Sequence, residues 1–214
     1  MNRSLKLFGI PLLIGGVLLI LLNIFLTPQL PLDQDEAVLR TSTVYLLRLS
    51  VAGVSAMLLL FGCIGVYLAH RNTAGVFGTA AFLIAFVGNS LLVCIEWSNL
   101  FVLRAVAQSD PEALSALDKS ALMDIGFASA AGLFAIGWIL MAVSSIKSKV
   151  FARWIPITVI AGLVLIPALG ATPLGLTGAI VGNTVFGLGI AAMGWNLAKD
   201  LRKEDVRAEH NVKT

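Results

Sequence analysis

The chain has 214 residues, of which 58 % are hydrophobic and 13 % are charged, and its formal net charge is +3 at pH 7. Soluble domains carry about 25 % charged residues. This composition, with a mean hydropathy of +0.92, therefore excludes an ordinary soluble domain and predicts an integral membrane protein. The sequence has no basic face with interleaved aromatic residues, so the small positive surplus does not indicate nucleic-acid binding.

The first predicted element is an apolar segment from Leu7 to about Leu26, which follows the basic start MNRSLK. Its 20 residues exceed the roughly 7–15 residues of a signal-peptide core. The sequence Thr27-Pro28-Gln29 after it also lacks the small residues of a cleavage site. We therefore expect this segment to be a retained first membrane span.

Five further apolar segments follow along the chain, each long enough for a helix that crosses or nearly crosses a bilayer. They cover residues 44–69, 75–103, 121–146, 154–169 and 176–198. The sequence therefore predicts an all-α integral membrane bundle of six transmembrane helices. We expect residues 1–198 to form a single six-span domain and residues 199–214 to form a charged cytoplasmic tail.

Two connections interrupt the apolar pattern on the same predicted side. Residues 27–38 are acidic and rich in proline, which indicates an exposed loop. Residues 104–120 are polar, and Ser109 or Asp110 before Pro111 is typical of a helix N-cap followed by proline in the first turn. The second connection is therefore expected to hold a short amphipathic surface helix.

The distribution of lysine and arginine predicts the orientation in the membrane. With the amino terminus inside, four of these residues lie on the outer side: Arg40, Arg48, Arg104 and Lys119. Eleven lie on the inner side: Arg3, Lys6, Arg71, Lys147, Lys149, Arg153, Lys199, Arg202, Lys203, Arg207 and Lys213. Because positive charge concentrates in cytoplasmic loops, both termini are expected to be cytoplasmic.

Polar side chains from several predicted helices fall at one level of the outer half of the bundle. At about 1.5 Å of rise per residue, this level contains Asn23, Arg48, Glu96, Asp124 and Asn183. Asn89 lies nearer the bilayer centre on the same helical face as Glu96. Small residues share the faces of Glu96, Asp124 and Asn183, which indicates that these faces contact other helices.

Two interpretations of this level remain open. In the first, Arg48, Glu96 and Asp124 form a charge cluster that lines a cavity open to the outer side, with Asn89 and Asn183 beside it as further ligand-binding candidates. One cation and two carboxylates then require either a protonated carboxyl group or a cationic ligand. In the second, the side chains of Arg48 and Asp124 extend separately to the membrane–water interface, and Glu96 only makes hydrogen bonds to neighbouring helices.

Motifs for chemistry are missing from the sequence. Cys63 and Cys94 fall toward opposite leaflets, and His70 and His210 lie at a helix end and in the tail, so the sequence predicts no disulfide, haem or zinc site. We assign no catalytic residue, no metal ligand and no cofactor. An enzyme is not favoured, although two carboxylates could act as acid and base.

A glycine pair at the start of the sixth segment, Gly178 and Gly182, has the spacing of a helix-packing motif. Such spacing serves tight packing within a bundle or dimerisation through the membrane. We expect packing within one chain, and the sequence leaves an oligomer open without indicating one.

Several short stretches resemble a family of small bacterial six-span integral membrane proteins known only as a domain of unknown function. They are YLLRLSVAG at 45–53, MDIG at 123–126, GWIL at 137–140, WIP at 154–156 and AG at 161–162. The resemblance implies six helices in a bacterial cytoplasmic membrane, and it implies neither a substrate nor a reaction.

Three functional interpretations follow. The first is a non-enzymatic membrane protein whose polar pocket in the outer half binds a small or lipidic ligand. The second is a transporter of a small solute or a proton-coupled substrate, with Glu96 as the titrating group. The third is a membrane enzyme that uses a carboxylate pair. The expected partners are the lipid bilayer and such a ligand.

Overall fold

The computed structural model describes residues 3–212, with side-chain burial for residues 7–199. The helices are α1 (Arg3–Leu21), α2 (Glu36–Thr41), α3 (Thr43–Trp97), α4 (Arg104–Ser109), α5 (Pro111–Asp118), α6 (Ala121–Ser148), α7 (Trp154–Gly170) and α8 (Gly175–Val212). Wide π-helical turns at Leu22–Leu26 and Ser98–Leu103 follow α1 and α3. The prediction of an all-α protein is confirmed.

Four helical segments are long and apolar enough to cross a membrane by length and composition: Leu7–Gln29, Thr43–Ser109, Ala121–Ser148 and Gly175–Lys199. Two of the predicted spans need separate description. The predicted second and third spans are the two helical arms of α3, which meet at Gly75, where the backbone is not helical. The predicted fifth span, α7, has 17 residues and is shorter than these four segments.

Helix α3 bends sharply at Gly75, whose backbone angles are φ 57° and ψ −154°. Glycine can adopt a positive φ angle of this kind because it has no Cβ. The two arms, residues 43–74 and 76–97, run back along each other: the rings of Tyr67 and Phe82 stack with centroids 4.4 Å apart, and Gly53 faces Glu96 across the arms. The bend therefore makes α3 an antiparallel hairpin.

The helices pack in pairs around one apolar core. Helix α1 lies against α8 and α3, α7 lies against α8, and α6 lies against α3. Close approach of α3 and α6 is reciprocal, because Gly88 meets the backbone of Phe134 and Gly137 meets the backbone of Ala85. Trp138 and Phe186, both almost completely buried, meet edge to face at the centre.

The glycine pair of α8 also packs within the chain. A Cβ at Gly178 would meet Leu169, and one at Gly182 would meet Ile166, both on α7. The expectation that this motif packs helices inside one bundle is confirmed for these two positions.

The three short helices α2, α4 and α5 gather at one end of the bundle, which we call the cap end. Asp110 accepts a hydrogen bond from the Ala113 amide at 2.9 Å, and Pro111 opens α5, as the N-cap pattern predicted. The sequence did not predict α2, which begins at Glu36 near the end of the acidic connection. Helix α8 continues as far as Val212, through most of the predicted tail, and residues 213–214 lie outside the described residues.

Two arginines hold the cap end together. The Arg40 guanidinium lies 2.8 Å from Glu36 and 3.1 Å from Asp118, and it donates to Asn99 Oδ1 at 2.9 Å. Arg104 donates to the carbonyl oxygens of Arg40 at 2.8 Å and of Thr41 at 2.9 Å. A guanidinium at the end of a helix bonds carbonyls that have no helical partner. These bonds fix the junction of α2 and α3 against the end of the hairpin.

Candidate functional site

A cavity of about 430 Å³ lies in the half of the bundle nearest the cap end. Helices α1, α3, α6, α7 and α8 and the first π-helical turn all contribute to its walls. Most of the lining side chains are apolar, and Phe134, Leu163 and Phe186 are the bulkiest among those of α6, α7 and α8. Its size and composition match sites that bind small molecules, which are mostly apolar with a few placed polar groups.

The polar side chains of the cavity come from different helices. Asn23, Arg48, Glu96 and Asn183 line it, together with Ser55. Ser55 donates to the carbonyl of Gly15 at 2.9 Å, so its hydroxyl serves to join α3 and α1. The other four side chains give the cavity its chemistry.

Arg48 is held in place by the turn that follows α1. Its Nε donates to Thr27 Oγ1 at 3.2 Å, and the Thr27 hydroxyl in turn donates to the carbonyl of Leu22 at 3.1 Å. Asn23 lies in the π-helical turn Leu22–Leu26, and Thr27 follows it directly as the first residue of a 3-10 turn, Thr27–Gln29. Turns of the π-helical kind occur often at functional sites. Since Nε is used, the two terminal nitrogens of Arg48 remain as donors toward the cavity.

Glu96 supplies the negative charge of the site. Its Oε2 is buried and has no hydrogen-bond partner among the described residues. Arg48 and Glu96 line the same cavity, but in the part of the chain that the structure describes no nitrogen of the Arg48 guanidinium lies within 4.0 Å of a Glu96 carboxylate oxygen. Opposite charges therefore share the cavity without forming an ion pair.

The two asparagines of the cavity offer acceptors. Asn23 Nδ2 donates to the carbonyl of Leu19 at 2.8 Å, and Asn183 Nδ2 donates to that of Ala179 at 2.9 Å. Each amide thus donates one N–H to its own helix, and its oxygen remains an available acceptor. Pro167 adds another acceptor, because a proline inside a helix leaves the carbonyl four residues earlier, that of Leu163, without its helical bond.

The remaining predicted site residues lie elsewhere. Asn89 is completely buried, where its Nδ2 donates to the carbonyl of Ala85 at 2.7 Å and its Oδ1 accepts from Trp138 Nε1 at 3.4 Å. Asp124 is exposed in the first turn of α6 and does not line the cavity. The structure thus brings together Arg48, Glu96 and Asn183, and it leaves the three-charge cluster incomplete.

Sequence reasoning missed the parts of the site that depend on local geometry. Thr27 was placed in a loop, although it orients Arg48, and nothing in its sequence context indicates that role. Pro167 lies three residues before the end of α7 at Gly170 and lines the cavity, and the sequence did not indicate this position in the site. The buried Arg40 could have been found only through its spacing of four from Glu36.

Among the described residues, no group of three or more histidine, cysteine, aspartate or glutamate side chains could hold a metal ion. The chain was also compared with known proteins. No protein-family model matches it, no curated protein matches it, and no solved structure matches it.

Proposed function

We propose that the protein crosses a bacterial cytoplasmic membrane six times, with both termini in the cytoplasm. The two arms of α3 count as separate crossings because Gly75 reverses the chain between them. Helix α7, with 17 residues at about 1.5 Å each, is about 25 Å long and provides the remaining crossing. The surplus of Lys and Arg at the end opposite the cap supports this orientation, which puts the cap end outside.

Within this topology we propose that the protein is a non-enzymatic binder of a small or lipidic ligand. The observation that carries the proposal is the cavity itself, where Arg48 and Glu96 stand unpaired between apolar walls. Buried charges are costly unless something pairs with them. A ligand that contacts both would supply the missing interactions.

A transporter needs a path to the other side of the membrane. Below the cavity, the hydrogen-bonded pair Asn89 and Trp138 and the buried side chains of Leu59 and Met141 fill the bundle. Glu96 is the group that proton coupling would use, so transport is the second candidate. A carboxylate-pair enzyme has less support, since Glu96 is the one carboxylate among the described lining residues.

The test is native mass spectrometry of the protein purified in mild detergent, for which we expect one bound small or lipidic molecule. Arg48→Ala and Glu96→Gln should each lower the bound fraction at least tenfold. Matched controls remove the same charges outside the cavity: Arg71→Ala and Asp124→Asn, both at exposed positions, should leave it unchanged. Equal occupancy in all four variants would refute the proposal.

Transport is tested separately by loading proteoliposomes with a pH-sensitive dye. A Glu96-dependent proton flux on addition of a co-purified ligand would favour the transporter over the binder.

A further inference from the structure

The cavity reaches the surface of the bundle at one side. Among its lining residues, two are exposed: Ala131 on α6 and Pro167 on α7. These two helices pack chiefly on α3 and on α8 respectively, and much less on each other. The cavity therefore opens laterally between α6 and α7. We call this gap, bounded by Ala131, Ala135, Ile166 and Pro167, the lateral opening.

The residues directly beside the lateral opening are small or apolar and exposed. On α7, Val164 is 52 % exposed. Ala128, one turn from Ala131 on the same face of α6, is also exposed. Farther toward the cap end, the same face of α6 carries the exposed Asp124. In the proposed topology the side chains of Ala128 and Val164 contact lipid, so the opening leads from the cavity into the bilayer.

The chemistry inside the cavity is that of a receptor for a zwitterion. The terminal nitrogens of Arg48 can donate to an anion such as a phosphate. Glu96 Oε2 and the amide oxygens of Asn23 and Asn183 can accept hydrogen bonds from an ammonium group. Since Arg48 and Glu96 cancel in charge but do not pair, a ligand with one charge of each sign would satisfy both.

We propose that the ligand is a zwitterionic amphiphile that enters from the bilayer through the lateral opening. Its phosphate contacts Arg48, its ammonium group contacts Glu96, and its apolar chain leaves between α6 and α7. This inference rests on the proposed function and names its ligand class. The cavity volume of about 430 Å³ suits the head group of the ligand and the start of its apolar chain. The rest of that apolar chain lies in the lateral opening and the surrounding lipid.

The test is a titration followed by native mass spectrometry with three probes: lysophosphatidylethanolamine, its soluble head group phosphoethanolamine, and the anionic lysophosphatidylglycerol. We expect lysophosphatidylethanolamine to bind at least tenfold more tightly than either of the others. Equal binding of lysophosphatidylglycerol would overturn recognition of the ammonium group. Equal binding of phosphoethanolamine would overturn the role of the ligand's apolar chain.

The lateral opening is tested with tryptophan substitutions on adjacent residues of α6. Ala131→Trp fills the opening and should weaken lysophosphatidylethanolamine binding at least tenfold. Gly132→Trp is the matched control, because a Cβ at Gly132 meets no atom within 4 Å. If Ala131→Trp does not give a monodisperse protein, Ala128→Trp narrows the mouth from a position that does not itself line the cavity and should have the same effect.

These outcomes separate the two proposals. If Arg48→Ala and Glu96→Gln weaken binding while the tryptophan variants at 131 and 128 bind as the wild type does, the cavity binds ligand by another route and the lateral opening is refuted. If none of these variants changes the binding of any probe, the proposed function fails as well.

Discussion

Filling the cavity should stabilise the protein while abolishing ligand binding. Ala135 on α6 lines the cavity and is partly buried. Ala135→Leu adds three carbon atoms there at about 0.8 kcal/mol for each buried methyl or methylene group, so the gain is about 2 kcal/mol in ligand-free protein. This sign is the opposite of the usual result, since an added side chain in a close-packed interior is destabilising.

The assay is thermal unfolding in detergent, with and without the ligand that co-purifies with the wild type. Ala135→Leu should melt at a higher temperature than the stripped wild type and should gain nothing from added ligand. Ala80→Leu, the same change at an exposed position of α3, is the control and should leave both values unchanged. A lowered melting temperature for Ala135→Leu, or ligand binding like that of the wild type, would show that the space is not an accessible cavity.

Three further predictions concern the frame around the site, each measured as a shift in thermal unfolding. Gly137→Leu should lower the stability of the protein by at least about 2 kcal/mol because it separates α3 from α6. The control Gly132→Leu should leave stability unchanged, and equal shifts in the two variants would refute the close contact. Arg104→Ala should lower stability by at least about 2 kcal/mol because its hydrogen bonds to carbonyl groups are lost. Arg71→Ala should leave stability unchanged. An equal loss of stability in Arg71→Ala would refute a specific role for Arg104 at the cap end. Asn89→Leu should lower stability by about 1–3 kcal/mol because it removes the hydrogen-bond acceptor of the buried Trp138 indole. An unchanged melting temperature would count against that hydrogen bond.

Part of this architecture follows from hydrophobic pattern and helical geometry alone. Apolar runs located the long helices, and a proline after Asp110 located α5. Counting residues from the helix ends placed Arg48, Glu96 and Asn183 at one level, and the structure has all three on one cavity. These inferences succeed because the rise and the period of a helix are nearly constant.

Other features depend on which helices are neighbours, which a single sequence does not encode locally. Asp124 shares a helical face with Ala131 and Ala135, and both alanines do line the cavity. Asp124 itself, however, is exposed and does not line the cavity. Helical phase predicts the direction of a side chain but not the presence of a neighbour.

The reversal within α3 was predicted, because the second apolar segment ends at residue 69 and the third begins at residue 75, and the structure places it at Gly75. The bonding of the cap end was not predicted. Arg40 and Arg104 lie 64 residues apart in the sequence, and their contact forms only when α2 and α4 meet. This contact arises from tertiary structure rather than from local pattern.

The most direct measurement of the central claim is an experimental structure of the protein in lipid nanodiscs, at a resolution that shows side chains. We expect non-protein density between the Arg48 guanidinium and the Glu96 carboxylate, continuous with density between α6 and α7. A direct ion pair between Arg48 and Glu96 across a closed cavity would contradict ligand binding at this site.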